Sequence, residues 1–176
     1  MLGISDPFSP SGDFAPQSHR QIVRSCCTHN TMLKLCCDSG NLPSGEHAAT
    51  WQDMLDRFGH TPWRRQVLTG MLEALRLLKL AGCVRACVDG SFVTAKQEPG
   101  DFDACWDAEG VDFDLIDERL FTFARGRATQ KAAFLGELFI ADARADPQGT
   151  LFRDFFQNDR EGRRKGIVVI HLKDLP

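Results

Sequence analysis

The sequence predicts an α+β fold in which a mixed β-sheet carries helices packed mainly on one of its faces. Residues 84–88 alternate in hydrophobicity, with apolar Val84, Ala86 and Val88, as in a strand with one buried face. Residues 61–82 carry an apolar stripe that is too wide for a coiled-coil seam and suits a helix lying on a sheet. A β-branched run at residues 167–172 predicts a final strand.

The 176-residue chain has the composition of an ordinary one-domain protein, with 43% hydrophobic and 26% charged residues. Its formal net charge of −3 argues against general nucleic-acid binding, which depends on clustered Lys and Arg. No apolar run of about eighteen residues and no signal-peptide pattern is present, so we expect a cytoplasmic protein without a membrane partner. Seven cysteines, an odd number, are better explained as reduced thiols than as a disulfide framework.

The first part of the chain is rich in Pro, Ser, Gly and Asp and has no hydrophobic period. We therefore expect a disordered leader over residues 1–38, followed by one domain over residues 39–176. The potential soft metal ligands in the leader are Cys26, Cys27, His29, Cys36 and Cys37. Their spacing matches no zinc finger or zinc knuckle, so we interpret them as incidental. Met1 and Met32 remain alternative native starts.

Two helices are predicted ahead of the central strand. Thr50 and Asp53 have the spacing of a capping box, and the helix that they open ends at Gly59. The second helix begins at Thr61-Pro62 and ends at Gly82. Its apolar stripe is Trp63, Val67, Met71, Leu75 and Leu78. Its solvated face is expected to carry Arg64, Arg65 and Arg76.

The predicted central strand ends at Gly90-Ser91, and an acidic pair, Asp101 and Asp103, follows a short polar link. If this second run is also extended, the two carboxylates project from the same side, because residues two apart share a face of a strand. Like charges held so close together favour a bound cation.

A strand that ends in Gly-Ser and is followed by an Asp-x-Asp strand resembles the nucleotidyltransferase fold of the polymerase β superfamily, and in particular its small single-domain bacterial members. The resemblance implies that Gly90 and Ser91 lie against the triphosphate of a nucleotide, where backbone N–H groups approach phosphate oxygens. It implies that Asp101 and Asp103 hold a divalent metal ion, Mg²⁺ or Mn²⁺. Lys96 either adds positive charge near the phosphates or is loop surface.

The resemblance also implies a third carboxylate on the next predicted strand, residues 136–142. Glu137, which three apolar residues follow, fits the family arrangement more closely, whereas Asp142 would place the acid at the far end of the strand. The family more usually has Asp at this position, so Glu137 is a departure from the pattern. A second Asp-x-Asp, Asp112 and Asp114, lacks the Gly-Ser turn and is interpreted as solvated or helix-terminal charge.

The remaining charged segments are interpreted as surface. Arg125, Arg127 and Lys131 could reach a phosphate, but a surface loop is the favoured explanation. The basic cluster near the end of the chain is Arg160, Arg163, Arg164 and Lys165, expected at a solvated hairpin tip or strand edge. A last helix is predicted over residues 147–158, with Leu151, Phe152, Phe155 and Phe156 on its inner face.

The resemblance implies a metal-dependent nucleotidyltransferase that moves a nucleoside monophosphate from a nucleoside triphosphate to an acceptor hydroxyl. Two Mg²⁺ (or Mn²⁺) ions would be held by Asp101, Asp103 and Glu137. A protein or RNA acceptor, such as a partner encoded by a neighbouring gene, is preferred because the chain is too short to wall off a deep pocket. The alternative is a non-catalytic or regulatory module on the same fold, such as a toxin–antitoxin component or a nucleotide sensor.

Overall fold

The computed structural model describes residues 40–176, which form a five-stranded mixed sheet with helices. The strands are β1 (Gly45–Ala48), β2 (Arg85–Asp89), β3 (Phe102–Trp106), β4 (Gly136–Ile140) and β5 (Gly166–His171). The helices are α1 (Trp51–Phe58), α2 (Pro62–Leu80), α3 (Glu118–Phe121), α4 (Ala124–Phe134) and α5 (Phe152–Phe155). The predicted α+β class is therefore confirmed. The predicted leader, with its cysteines and both alternative starts, lies outside the described residues.

The strand order across the sheet is β1-β5-β2-β3-β4. The central strand β2 is antiparallel to both of its neighbours, β5 and β3. The outer pairs, β1 with β5 and β3 with β4, are parallel. Strands that are distant in the sequence therefore lie side by side, and their registers decide which side chains meet on each face.

The first two helices form where the sequence predicts them. Thr50 and Asp53 make the reciprocal capping box of α1, with the Asp53 N–H 3.1 Å from Thr50 Oγ1 and the Thr50 N–H 2.9 Å from Asp53 Oδ2. Thr61 caps α2 by accepting the Arg64 N–H, and Pro62 occupies the first turn. Both helices bury their apolar stripes in the main hydrophobic core against one face of the sheet.

The two faces of the sheet are covered unequally. The main core joins residues of α1 to α4 to Ala86, Val88, Ala104 and Trp106 of the central strands. The opposite face carries a smaller cluster around Cys87 and Cys105, which Phe156 and the short helix α5 cover. Within residues 40–176, the helices therefore pack mainly on one face. The smaller cluster does not extend to the end of the second face, where the acidic strand residues lie.

Two features of the first helices and strands differ from the expectation. Arg64 is not solvated: it is completely buried, because position 64 lies on the same face of α2 as Val67, Met71 and Leu75. Val84 precedes β2 rather than belonging to it, and 62% of its surface is exposed.

The last predicted helix is also shorter than expected, four residues rather than residues 147–158. Asp146 accepts the Thr150 N–H at 2.9 Å, and Gly149 has a φ of 90°, so the chain turns here instead of starting a helix. Phe155 is 48% exposed rather than on the inner face. The described cysteines Cys83, Cys87 and Cys105 are buried free thiols. No described helix is both long enough and apolar enough to cross a membrane.

Candidate functional site

Three carboxylates lie side by side on three neighbouring strands. Asp89, the last residue of β2, is opposite Asp103 of β3, and Asp103 is opposite Glu137 of β4. Residues that are directly opposite in register project from the same face and lie about 5 Å apart. We call Asp89, Asp103 and Glu137 the acidic row. The sheet itself therefore brings together groups that are far apart in the sequence.

Each end of the acidic row has a lysine. Lys165 Nζ lies 2.6 Å and 2.8 Å from the two carboxylate oxygens of Asp89, and the side chains of this pair are only 14% and 8% exposed. Burial raises the pKa of Asp89, and Lys165 and the Gly90 N–H act against that shift. At the other end, Lys131 Nζ lies 3.0 Å from Glu137 Oε1 and 3.2 Å from Asp101 Oδ2. These two contacts raise the pKa of Lys131.

The middle member of the row, Asp103, has no cation of its own. No described residue donates a hydrogen bond to its carboxylate or forms an ion pair with it. Burial raises the pKa of Asp103 to about 7, and the negative charges of Asp101, Glu137 and Asp89 add to that shift, with Lys131 opposing it. Asp103 is therefore the carboxylate whose ionised form a bound cation would stabilise most.

The Gly-Ser turn lies directly against Asp103. Gly90 has a φ of 78°, a left-handed conformation that favours glycine. A Cβ atom at this position would collide with the Asp103 carboxylate, so the absent side chain is what lets the turn approach the acidic row. Ser91 begins a short 3-10 helix, Ser91–Val93, and is partly exposed. Among the described residues, none forms a hydrogen bond with the Ser91 hydroxyl.

Arg64 fixes this turn from behind. Its Nε donates to the Phe58 carbonyl oxygen at 2.9 Å, and its Nη2 donates to the carbonyl oxygens of Phe92 at 2.5 Å and Thr94 at 3.3 Å. The guanidinium also stacks on the Phe92 ring, 4.7 Å from its centroid. Burial lowers the pKa of Arg64. The end of α1 and the segment after Gly90-Ser91 are thus held by one buried cation.

The other sequence candidates form contacts elsewhere and none with the acidic row among the described residues. Lys96 is exposed, its backbone N–H donates to Thr94 Oγ1, and its ammonium forms no ion pair with any described residue. Asp142 follows β4 and pairs with Arg153 instead. Asp112 accepts the Asp114 N–H and caps a short 3-10 helix, Phe113–Leu115, which agrees with the helix-terminal interpretation.

Sequence reasoning missed four functional candidates: Asp89, Lys165, Arg64 and Lys131. Lys131 was expected on a surface loop, but it lies on α4 and contacts Asp101 and Glu137. The strand alternation already placed Asp89 on one face with Arg85 and Cys87, but nothing local pointed to its partner 76 positions away. Lys165 was assigned to the solvated basic cluster for the same reason. The helical period did place position 64 on the buried face of α2, and only its charge argued for solvent.

The donor set suits a hard divalent cation, but the carboxylates are arranged around a lysine. Carboxylate oxygens are the ligands that Mg²⁺ and Mn²⁺ prefer, and Asp103 has no competing partner among the described residues. However, no group of three or more His, Cys, Asp or Glu side chains in residues 40–176 is positioned to hold a metal ion. The ammonium of Lys131 lies between Asp101 and Glu137 instead.

Comparison with known proteins gives a family without an assigned activity. A model described as a family of unknown function (DUF6932) matches residues 36–171, which include every strand and the whole acidic row. No curated protein and no solved structure matches the chain.

Proposed function

The chain belongs to this DUF6932 family of unknown function, and from its site we propose that it is a metal-dependent nucleotidyltransferase with a polymerase β-like fold. The observation that carries the proposal is the contact between Gly90 and the Asp103 carboxylate, which joins the phosphate-binding turn to the acidic row. A turn with a free hydroxyl and a set of hard oxygen ligands are the two parts that a triphosphate and its metal ion require.

Asp101, Asp103 and Glu137 are the residues that would hold Mg²⁺ or Mn²⁺. When bound, the metal supplies positive charge for the phosphate oxygens and for the attacking hydroxyl. The protein residues position the substrate: the hydroxyl of Ser91 contacts phosphate oxygens, and the missing side chain of Gly90 leaves room for them beside Asp103. The Asp89–Lys165 pair fixes the end of β2 that carries this turn. The acceptor hydroxyl loses its proton to water as its oxygen forms a bond to the α-phosphorus, and the bond from that phosphorus to the departing pyrophosphate breaks.

The acceptor that we propose is a hydroxyl of a macromolecule, either a protein or an RNA. The site is most accessible at Asp101 and Lys131, whose side chains are 33% and 45% exposed, whereas the Glu137 side chain is 19% exposed. A large acceptor can approach from this side. A partner protein encoded by a neighbouring gene is one such acceptor.

A second candidate function is favoured by one specific contact. Lys131 already forms ion pairs with Asp101 and Glu137 without any metal ion. Carboxylates that are paired in this way suit a non-catalytic or regulatory module, such as a toxin–antitoxin component or a nucleotide sensor.

The two functions are separated by following the α-phosphate. The full chain is incubated with each α-labelled nucleoside triphosphate, Mg²⁺ or Mn²⁺, and cell lysate or total RNA. We expect a labelled acceptor and released pyrophosphate, both lost in Asp103→Asn and retained in the matched control Asp112→Asn. Triphosphate binding without a labelled acceptor would favour a nucleotide sensor, and no binding at all would contradict the enzyme and leave a non-catalytic module.

A further inference from the structure

Lys131 occupies the position between two carboxylates that the proposed metal ion would need. Its Nζ is 3.2 Å from Asp101 Oδ2 and 3.0 Å from Glu137 Oε1, whereas Mg²⁺ binds its oxygen ligands at about 2.1 Å. Both cations cannot use the same oxygens, because they repel each other and the ammonium blocks the approach. Lys131 and the divalent ion therefore compete for Asp101 and Glu137.

Lys131 is free to leave, unlike the other cations near the row. Its side chain is 45% exposed, so it can swing into solvent without uncovering buried surface. Lys165 is held in the buried pair with Asp89, with its side chain 14% exposed. Arg127, which faces Glu137, donates to the Leu138 carbonyl oxygen at 2.9 Å and stacks 3.9 Å from the centroid of the Phe139 ring.

An arriving triphosphate offers Lys131 a new partner. The phosphate oxygens carry more negative charge than the two carboxylates, and the Gly-Ser turn would place them beside Asp103. Lysine has a long flexible stem and three donors, so its ammonium can change partners over a few ångströms.

We infer that Lys131 exchanges between the Asp101 and Glu137 carboxylates in the free protein and the triphosphate in the loaded protein. This inference rests on the proposed function and adds to it a substrate-binding residue and an order of binding. Divalent metal binds the free protein weakly, because it must displace Lys131 from Asp101 and Glu137. Triphosphate draws Lys131 away from these carboxylates and so frees them for the metal, and metal and triphosphate therefore bind cooperatively.

The test measures metal binding without turnover. Free Mn²⁺ is followed by electron paramagnetic resonance with the full chain, alone and with inorganic triphosphate, which needs no particular base. A protein-free titration of Mn²⁺ with triphosphate is subtracted, because triphosphate itself binds Mn²⁺. In Lys131→Met, Mn²⁺ alone should bind about tenfold more tightly than in the wild type, and triphosphate should strengthen Mn²⁺ binding less than it does in the wild type. Lys131→Arg keeps the charge and should resemble the wild type, as should the control Lys173→Met on the exposed C-terminal turn.

The outcomes separate this inference from the proposed function. Unchanged Mn²⁺ affinity in Lys131→Met, with binding still lost in Asp103→Asn, would overturn the exchange and leave the metal site intact. If neither the wild type nor Lys131→Met binds Mn²⁺, with or without triphosphate, the inference and the proposed function both fail. Lys131→Gln, a shorter and more polar replacement, repeats the measurement if the melting curve of Lys131→Met shows a folding defect.

Discussion

Asp103 carries the least compensated charge of the acidic row. Its neighbours Asp89 and Glu137 each have a lysine, whereas burial and three nearby carboxylates raise the pKa of Asp103 to about 7. The folded protein therefore favours the protonated form of Asp103 relative to the unfolded chain, where its pKa is near 3.8. Ionisation of this one group opposes folding in the absence of metal.

Because this ionisation opposes folding, Asp103→Asn should increase the stability of the protein by an amount that depends on pH. A raised folded pKa contributes stability that is fully present below the unfolded value of 3.8 and is lost as the pH rises through about 7. In the presence of a chelator, Asp103→Asn should therefore be more stable than the wild type at pH 8, by up to about 4 kcal/mol, with the difference shrinking towards pH 4. Urea unfolding curves at several pH values measure this difference.

The matched control is Asp114→Asn, an exposed carboxyl in a short 3-10 helix. It should leave stability nearly unchanged at both ends of the pH range. A wild type that is more stable than Asp103→Asn at pH 8 without metal would contradict this assignment of the uncompensated charge.

At the residue scale, Asp101, Asp103 and Glu137 follow from a local spacing and a resemblance. In the structure Asp103 lies opposite Glu137, and Lys131 contacts both Glu137 and Asp101. Asp89 and Lys165 could not be paired, because their contact depends on how β5 aligns with β2, which no local pattern encodes. The prediction that Arg64 is solvated was also wrong, because its buried guanidinium bonds to carbonyl oxygens of a segment distant in the sequence.

At the element scale, the turn after β2 lies against the start of β3 because Gly90 has no side chain. Gly90 is left-handed and packs on the Asp103 carboxylate, and Arg64 holds the following residues. The position of the turn relative to the acidic row thus depends on one glycine and one buried arginine.

Replacing Gly90 tests this packing. Gly90→Ala introduces both an unfavourable φ and a collision with Asp103, so we expect a loss of about 2–4 kcal/mol in the free energy of unfolding. Gly110→Ala is the matched control, because Gly110 has a φ of 74° but open space around its missing side chain. It should cost about 1 kcal/mol. Equal losses in the two variants would show that the contact with Asp103 is unimportant.

Helices with two independent local signals were predicted well, and helices without them were not. α1 and α2 have capping residues and long apolar stripes, and both formed over the expected residues. The predicted last helix has aromatic residues at helical spacing, but a turn at Asp146 and Gly149 takes up its first part. The helix α5 therefore starts later and has only four residues. Side-chain hydrogen bonds to the backbone decided that boundary.

At the scale of the whole molecule, the unequal covering of the sheet explains where the site lies. The main helices occupy one face, so polar strand ends can remain accessible only on the other. The α+β class followed from the sequence, because strand and helix periods are local. The order β1-β5-β2-β3-β4 did not, because it depends on pairings between distant segments.

A nucleotide site at the acidic row is tested most directly by the shift in melting temperature that a nucleoside triphosphate with Mg²⁺ causes. For the wild type, saturating ligand should raise the melting temperature by about 5 °C or more, because a ligand at about a hundred times its Kd adds about 2.7 kcal/mol to stability. Asp103→Asn and Glu137→Gln should lose this shift, whereas Asp112→Asn should retain it. No shift in the wild type with any of the common triphosphates, or a shift lost in Asp112→Asn but kept in Asp103→Asn, would contradict a nucleotide site at the acidic row.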